Sequence, residues 1–76
     1  MTQSLASLES GQTGTVSGFT QDDIITRRLM QLGVIEGETI DVVRRAPAGD
    51  PIEIRVLGYS LSLRNAEAAT VLVEQV

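Results

Sequence analysis

One continuous block, Arg28 to Glu67, reads RLMQLGVIEGETIDVVRRAPAGDPIEIRVLGYSLSLRNAE and decides the fold. Arg28-Leu29-x-x-Leu32-Gly33 ends a helix. Gly37 turns the chain into a strand over 38–45. Ala46 to Pro51 (APAGDP) is a loop, because two prolines and a glycine suit neither a helix nor a central strand. A hairpin follows. With Leu57-Gly58 as a two-residue turn, Val56 faces Tyr59, Ile54 faces Leu61 and Ile52 faces Leu63. Those apolar partners share one face, while Glu53, Arg55, Ser60 and Ser62 share the other. A slip of one residue would destroy this match, so the register is well specified. Leu57 is an awkward turn residue where positive φ is needed, which leaves the turn type open.

Working outward, residues 21–32 read as the one substantial helix. Thr20 or Asp22 serves as N-cap, and Thr20 with Asp23 resembles a capping box. Ile25, Leu29 and Leu32 form a buried stripe at i, i+4 and i+7. Gly33 supplies a left-handed residue after the helix, and Val34 closes the cap. Ile40 and Val42 face one side of the following strand; Thr39, Asp41 and Val43 face the other. Residues 14–19 (GTVSGF) read as a strand whose glycines mark turns or close backbone approach. Arg64 to Ala69 makes one helical turn, and 70–74 is a last strand. Residues 1–10 read as a short N-terminal tail, with Leu5 and Leu8 able to pack one turn onto the body. About five strands and one helix near the start suit a small, partly open β-barrel.

Composition narrows the function classes. At 76 residues the chain is read as a single domain over 1–76. It has no Cys and no His, which removes disulfides, thiolate zinc sites and cysteine nucleophiles. The net charge is −4 and all six basic residues are Arg. Nucleic-acid binders need a basic surface to displace counterions, and Phe19 and Tyr59 are the sole aromatics, so no stacking platform for single strands is available. No nucleic-acid partner is expected. No apolar run approaches the roughly 18 residues of a membrane span, and Met1 to Glu9 lacks the pattern of a signal peptide. A cytoplasmic protein without membrane insertion is expected.

The block resembles the ferrous iron transport protein A (FeoA) family. The resemblance rests on Arg28-Leu29-x-x-Leu32-Gly33, Gly37, the strand Ile40 to Val43, and Ala46-Pro47-x-Gly49-Asp50-Pro51. It continues through Ile52 to Val56, Gly58, Leu61-Ser62-Leu63-Arg64 and Glu67-Ala68. It implies an SH3-like barrel with an inserted helix. It also implies a non-enzymatic cytoplasmic accessory role in ferrous iron uptake, through contact with the membrane GTPase transporter FeoB, which would recruit the chain to the inner face of the membrane. The same barrel type resembles the C-terminal domain of iron-dependent repressors, but no helix-turn-helix precedes it here, so a repressor is not implied. Ala48 departs from the pattern, being smaller than the apolar residue the family often places there.

Each candidate site has a plain structural reading beside the functional one. Asp22 and Asp23 form a metal pair or, more simply, a stabilised helix N-terminus; without His or Cys, no metal site and no cofactor is expected. Arg27, Arg28, Arg44 and Arg45 form a docking patch or a solvated face with local ion pairs. Met30 is an exposed contact or a core-edge residue. Asp50, Glu53 and Glu67 lack the concave pocket that acid–base catalysis requires, so no enzyme is expected. The expected partner-binding residues are Arg28, Met30, Arg45, Pro47 and Asp50. A self-assembling homo-oligomer and an RNA- or ribosome-associated barrel stay open as alternatives.

Overall fold

The computed structural model describes residues 2–76. Six strands form one antiparallel sheet: β1 (Thr2–Ser4), β2 (Thr13–Phe19), β3 (Thr39–Arg45), β4 (Ile52–Val56), β5 (Tyr59–Leu63) and β6 (Val71–Gln75). The order is β1-β6-β2-β3-β4-β5, so the sheet stays open, with β1 and β5 as its edges. Helix α1 (Ile24–Gln31) lies between β2 and β3, and a single turn, α2 (Asn65–Ala68), lies between β5 and β6. This is the mainly β, open arrangement that the sequence indicates, of the SH3-like type with an inserted helix that the resemblance implies.

The hairpin forms in the expected register, with Val56 opposite Tyr59, Ile54 opposite Leu61 and Ile52 opposite Leu63. Ile52, Ile54, Val56 and Leu63 are buried in one apolar cluster with Ile40, Val42, Val71 and Val73. The turn carries positive φ at both Leu57 (52°) and Gly58 (82°), the type I′ geometry whose twist matches the flanking strands. Leucine is costly there, and its side chain packs on Gly33. A Cβ at Gly33 would lie 2.7 Å from Leu57 Cδ1, so glycine serves both the left-handed backbone (φ 104°) and the close approach. Tyr59 adds a second tie by donating its hydroxyl hydrogen to the Leu32 carbonyl. The helix therefore ends against the hairpin tip.

Helix α1 begins later than expected. Its N-cap is Asp23, whose carboxylate accepts from the Thr26 amide at 3.0 Å while the Asp23 amide donates to Thr26 Oγ1 at 3.0 Å. The capping box is thus displaced by three residues from Thr20–Asp23. The buried face shifts with it. Thr26 and Leu29 are buried, Leu32 is half-buried, and Ile25 is 40% exposed. A helix of two turns touches the sheet along a narrow line, which leaves Ile24 and Ile25 on the outside.

The N-terminal segment is a strand and not a tail. Thr2, Gln3 and Ser4 pair with Glu74, Val73 and Leu72. A 3-10 turn, Leu5–Ser7, then buries Leu5, and Leu8 is buried after it. The expected packing of these two leucines holds, and it brings a sixth strand with it. Gly14 permits this, because a Cβ there would come within 3.0 Å of Val73 and 3.2 Å of Leu8.

Leu5→Ala should lower stability by about 2–5 kcal/mol, the range for buried leucine truncation, and Ile54→Ala should do the same. Urea melts read at constant m-value check both. An unchanged midpoint for Leu5→Ala would return the first ten residues to a tail.

Candidate docking surface

The β3 strand bends where its pairing with β4 slips between Val42 and Arg44. Such a bulge leaves one residue unpaired and reverses the side-chain alternation beyond it. Strict alternation from Ile40 and Val42 would turn Arg45 outward. After the bulge, Arg45 instead pairs with buried Ile52 on the inner side, and Arg44 pairs with Glu53 on the outer side.

Arg45 consequently reaches across the open end of the sheet. Its guanidinium donates to the Leu8 carbonyl at 2.6 Å, to the Ala6 carbonyl, and to Asn65 Oδ1 at 3.0 Å. Asn65 extends the network. Its side-chain amide donates to the Gly49 carbonyl at 2.7 Å, and its backbone amide donates to Asp50 Oδ1 at 3.0 Å. A planar fork with several donors suits this role better than an ammonium point charge. The loop 46–51 is also closed on itself, with Gly49 N donating to Ala46 O at 2.7 Å and Ala46 N to Pro51 O at 3.0 Å.

This braced end carries two shallow hollows on either side of a saddle formed by Pro51 and Ser62. The first, about 240 Å³, is lined by Arg44, Arg45, Ala46, Pro47, Pro51, Glu53 and Ser62. The second, about 460 Å³, is lined by Arg28, Pro51, Ser62, Leu63, Arg64 and Glu67. Four of the six arginines line them, against two of the ten acidic residues. The surface is a basic groove on an acidic chain. Arg44 pairs with Glu53 at 2.9 Å, and Arg28 approaches Glu67 at 3.8 Å. Among the described residues, Arg64 has no ion pair within bonding distance.

Of the residues expected to contact a partner, Arg28, Arg45 and Pro47 line these hollows. Arg45 does so as a brace, with its guanidinium directed inward. Asp50 holds the loop to α2. Met30 is 37% exposed on α1 and lines neither hollow. Arg27 lies apart, paired with Asp22 at 3.1 Å, which holds its guanidinium pKa up. Sequence reasoning missed Arg64 and Asn65. No local pattern announces Asn65, since its partners lie 15 to 20 residues away. Arg64 was detectable as the charged residue closing an otherwise uncharged strand.

Among the described residues, no group of three or more acidic, His or Cys side chains is placed to hold a metal ion, and no helix is long and apolar enough to cross a membrane.

Comparison with known proteins agrees with this geometry. The FeoA domain model matches residues 3–75. The chain belongs to the FeoA domain family. It is 37% identical to a FeoA-like protein from Clostridium acetobutylicum, whose NMR structure it matches with a TM-score of 0.93 over 99% of this chain and 87% of that one. It is 30% identical to Stenotrophomonas maltophilia FeoA, crystallised with zinc and described as a prokaryotic SH3 domain protein, with a TM-score of 0.85 over 95% of this chain and 89% of that one. It is also 33% identical, over 70 residues, to an Fe(2+) transport protein A/Fe(2+) transporter FeoB fusion protein of Porphyromonas gingivalis. That match covers 92% of this chain and 8% of the fusion protein.

Two predictions test the bracing. Asn65→Ala should cost about 1–3 kcal/mol, since it strips a bonding partner from Arg45 and from Gly49. Arg45→Lys should not match the wild type, because one ammonium cannot serve Ala6, Leu8 and Asn65 together. Thermal or urea melts, with the Gly49 and Asp50 amide shifts as the local probe, check both. A third prediction concerns acid at the start of α1. The Thr26 amide at the helix N-terminus holds the Asp23 carboxyl below its ordinary value of 3.8. A depressed folded-state value contributes stability that is present above the unfolded value and is lost as pH falls through the folded one. Asp23→Asn keeps the cap but removes the charge, so its stability should vary less with pH below about 4. Melts from pH 7 down to pH 2 read the difference.

Proposed function

We propose that this chain is a non-enzymatic, cytoplasmic accessory protein of ferrous iron uptake that acts by docking to the transporter FeoB. The observation that carries the reading is the fusion relative, in which a homologue of nearly this whole chain is joined to the transporter in one polypeptide. Covalent joining gives two modules a high effective concentration, an arrangement that suits partners which work in contact. The Stenotrophomonas maltophilia relative has been put forward as a bacterial ferrous iron transport activating factor, which fits the same role.

The groove offers a physical means. Its rim mixes arginines, which are enriched at the centres of protein interfaces, with two prolines that need little ordering on binding. In this reading Arg28, Pro47, Pro51 and Arg64 meet the partner, while Arg45, Asp50 and Asn65 keep the platform rigid. Binding would change the transporter's nucleotide cycle or its assembly. No chemistry by the chain is required.

The test is a binding titration of the purified chain against the cytoplasmic region of the host FeoB, with and without guanine nucleotide. Saturable binding, weakened tenfold or more by Arg28→Glu, is the expected result. Absence of binding in both nucleotide states, by a chain shown to be folded, would remove the iron-transport reading.

A further inference from the structure

The two edges of the sheet are unequal. β1 has three residues, whereas β5 has five. Proteins blunt exposed edges with short strands, lysines, prolines or bulges. β5, Tyr-Ser-Leu-Ser-Leu, has none of these within it. The hairpin register also sets which of its backbone groups are free. A two-residue turn makes Val56 and Tyr59 a hydrogen-bonded pair, and antiparallel alternation then makes Ile54–Leu61 and Ile52–Leu63 bonded pairs. Ser60 and Ser62 therefore aim their N–H and C=O groups away from β4. Among the described residues, no loop or turn backbone group bonds to either serine, and no strand lies beyond β5.

That free edge runs into the basic groove. Ser62 borders both hollows, and Arg28 and Arg64 flank it in the larger one. Glu67 is the counter-charge there. Its carboxylate is already engaged, accepting from the Arg64 backbone amide at 2.9 Å and lying 3.8 Å from Arg28. The larger hollow keeps an excess of positive charge beside unpaired backbone donors. Charge also argues against a second β5 edge as occupant, because it would bring another Arg28 and Arg64 to the hollow in place of carboxylates.

We propose that β5 is a strand-addition site for an extended acidic segment of the partner protein, with Ser60 and Ser62 supplying the backbone pairing and Arg28 and Arg64 selecting carboxylates. The inference deepens the docking reading given above and rests on it. Backbone pairing supplies affinity without sequence demand, and the flanking charges supply the selection. A carboxylate facing Arg64 finds a guanidinium with no competing ion pair among the described residues. The segment needs no fold of its own, so a loop or terminus of the partner suffices.

The probe is an acetylated, amidated peptide of alternating glutamate and valine, titrated into the ¹⁵N-labelled full chain. The Ser60 and Ser62 amides should shift and exchange more slowly, and Arg64→Glu should weaken binding tenfold or more. Two altered peptides avoid any question of folding. One, N-methylated at every residue, should lose binding; equal binding would overturn edge pairing. The other, with lysine for glutamate, should also fail; equal binding would overturn the charge rule. Absence of any shift at millimolar peptide overturns the proposal. So does concentration-dependent broadening of Ser60 and Ser62 without peptide, which would make a second copy the occupant. Ser62→Pro separates this inference from the docking reading, since proline at an outward-facing edge position removes no ladder bond to β4. If the folded Ser62→Pro chain binds the FeoB cytoplasmic region undiminished, the edge inference falls and docking stands. If the acidic peptide binds but the FeoB region does not, docking to FeoB falls and the edge remains the site of a different acidic partner.

Discussion

The Arg45 guanidinium holds together parts of the chain that the sheet alone leaves apart. An open six-stranded sheet has two unpaired edges, here β1 and β5. Arg45 ties the segment after β1 to the end of β3 through the Ala6 and Leu8 carbonyls, and through Asn65 it ties both to the 46–51 loop and to α2. These carbonyls belong to irregular backbone, which strand pairing cannot satisfy. A buried carbonyl without a donor costs about 1–3 kcal/mol, so one side chain that serves several also makes the closure possible. The alternative, more apolar contact, is limited in a chain this short.

The same constraint shapes the surface outside. Because Arg45 and Asp50 are engaged in bracing, the loop carrying Pro47 and Pro51 is presented as a fixed rim. The groove it borders gathers most of the arginines of an acidic protein. In the docking reading, such a groove gains specificity from charge arrangement more than from buried area. A rigid rim contributes by lowering the ordering cost when a partner arrives. At the opposite side of the hairpin, Tyr59 and Leu57 clamp the end of α1. That contact carries Arg28, one turn back on the helix, to the same groove.

Much of this was legible in the sequence, and the parts that were not share a cause. The hairpin register was readable because a period of two with one buried face admits one solution. The helix was readable, but its start was not: Thr20 and Asp22 are as good caps as Asp23 by residue type, and the choice falls to Thr26, which returns the capping bond. The bracing role of Arg45 was not legible, because a bulge turns its side chain inward. The run Val42-Val43-Arg44-Arg45 breaks alternation, and that break was the available signal. Asn65 and the first strand were missed because their partners are distant in sequence. Thr2 to Ser4 is too short for a periodic pattern, and its pairing is with β6.

The unequal edges follow from this closure. The β1 end must stay short, because the chain has to leave the sheet at Leu5 for Ala6 and Leu8 to reach Arg45. The β5 end has no such duty. Its length is set by matching β4 residue for residue, and so an edge of full length is left beside the arginines. Exposed edges of this length ordinarily favour aggregation. Here Arg28 and Arg64 beside the edge work against pairing of two β5 edges, and in the strand-addition proposal they favour a segment of opposite sign. Fold closure at one edge thus leaves a free backbone edge at the other, and in the strand-addition proposal the charge beside it decides which kind of strand pairs there.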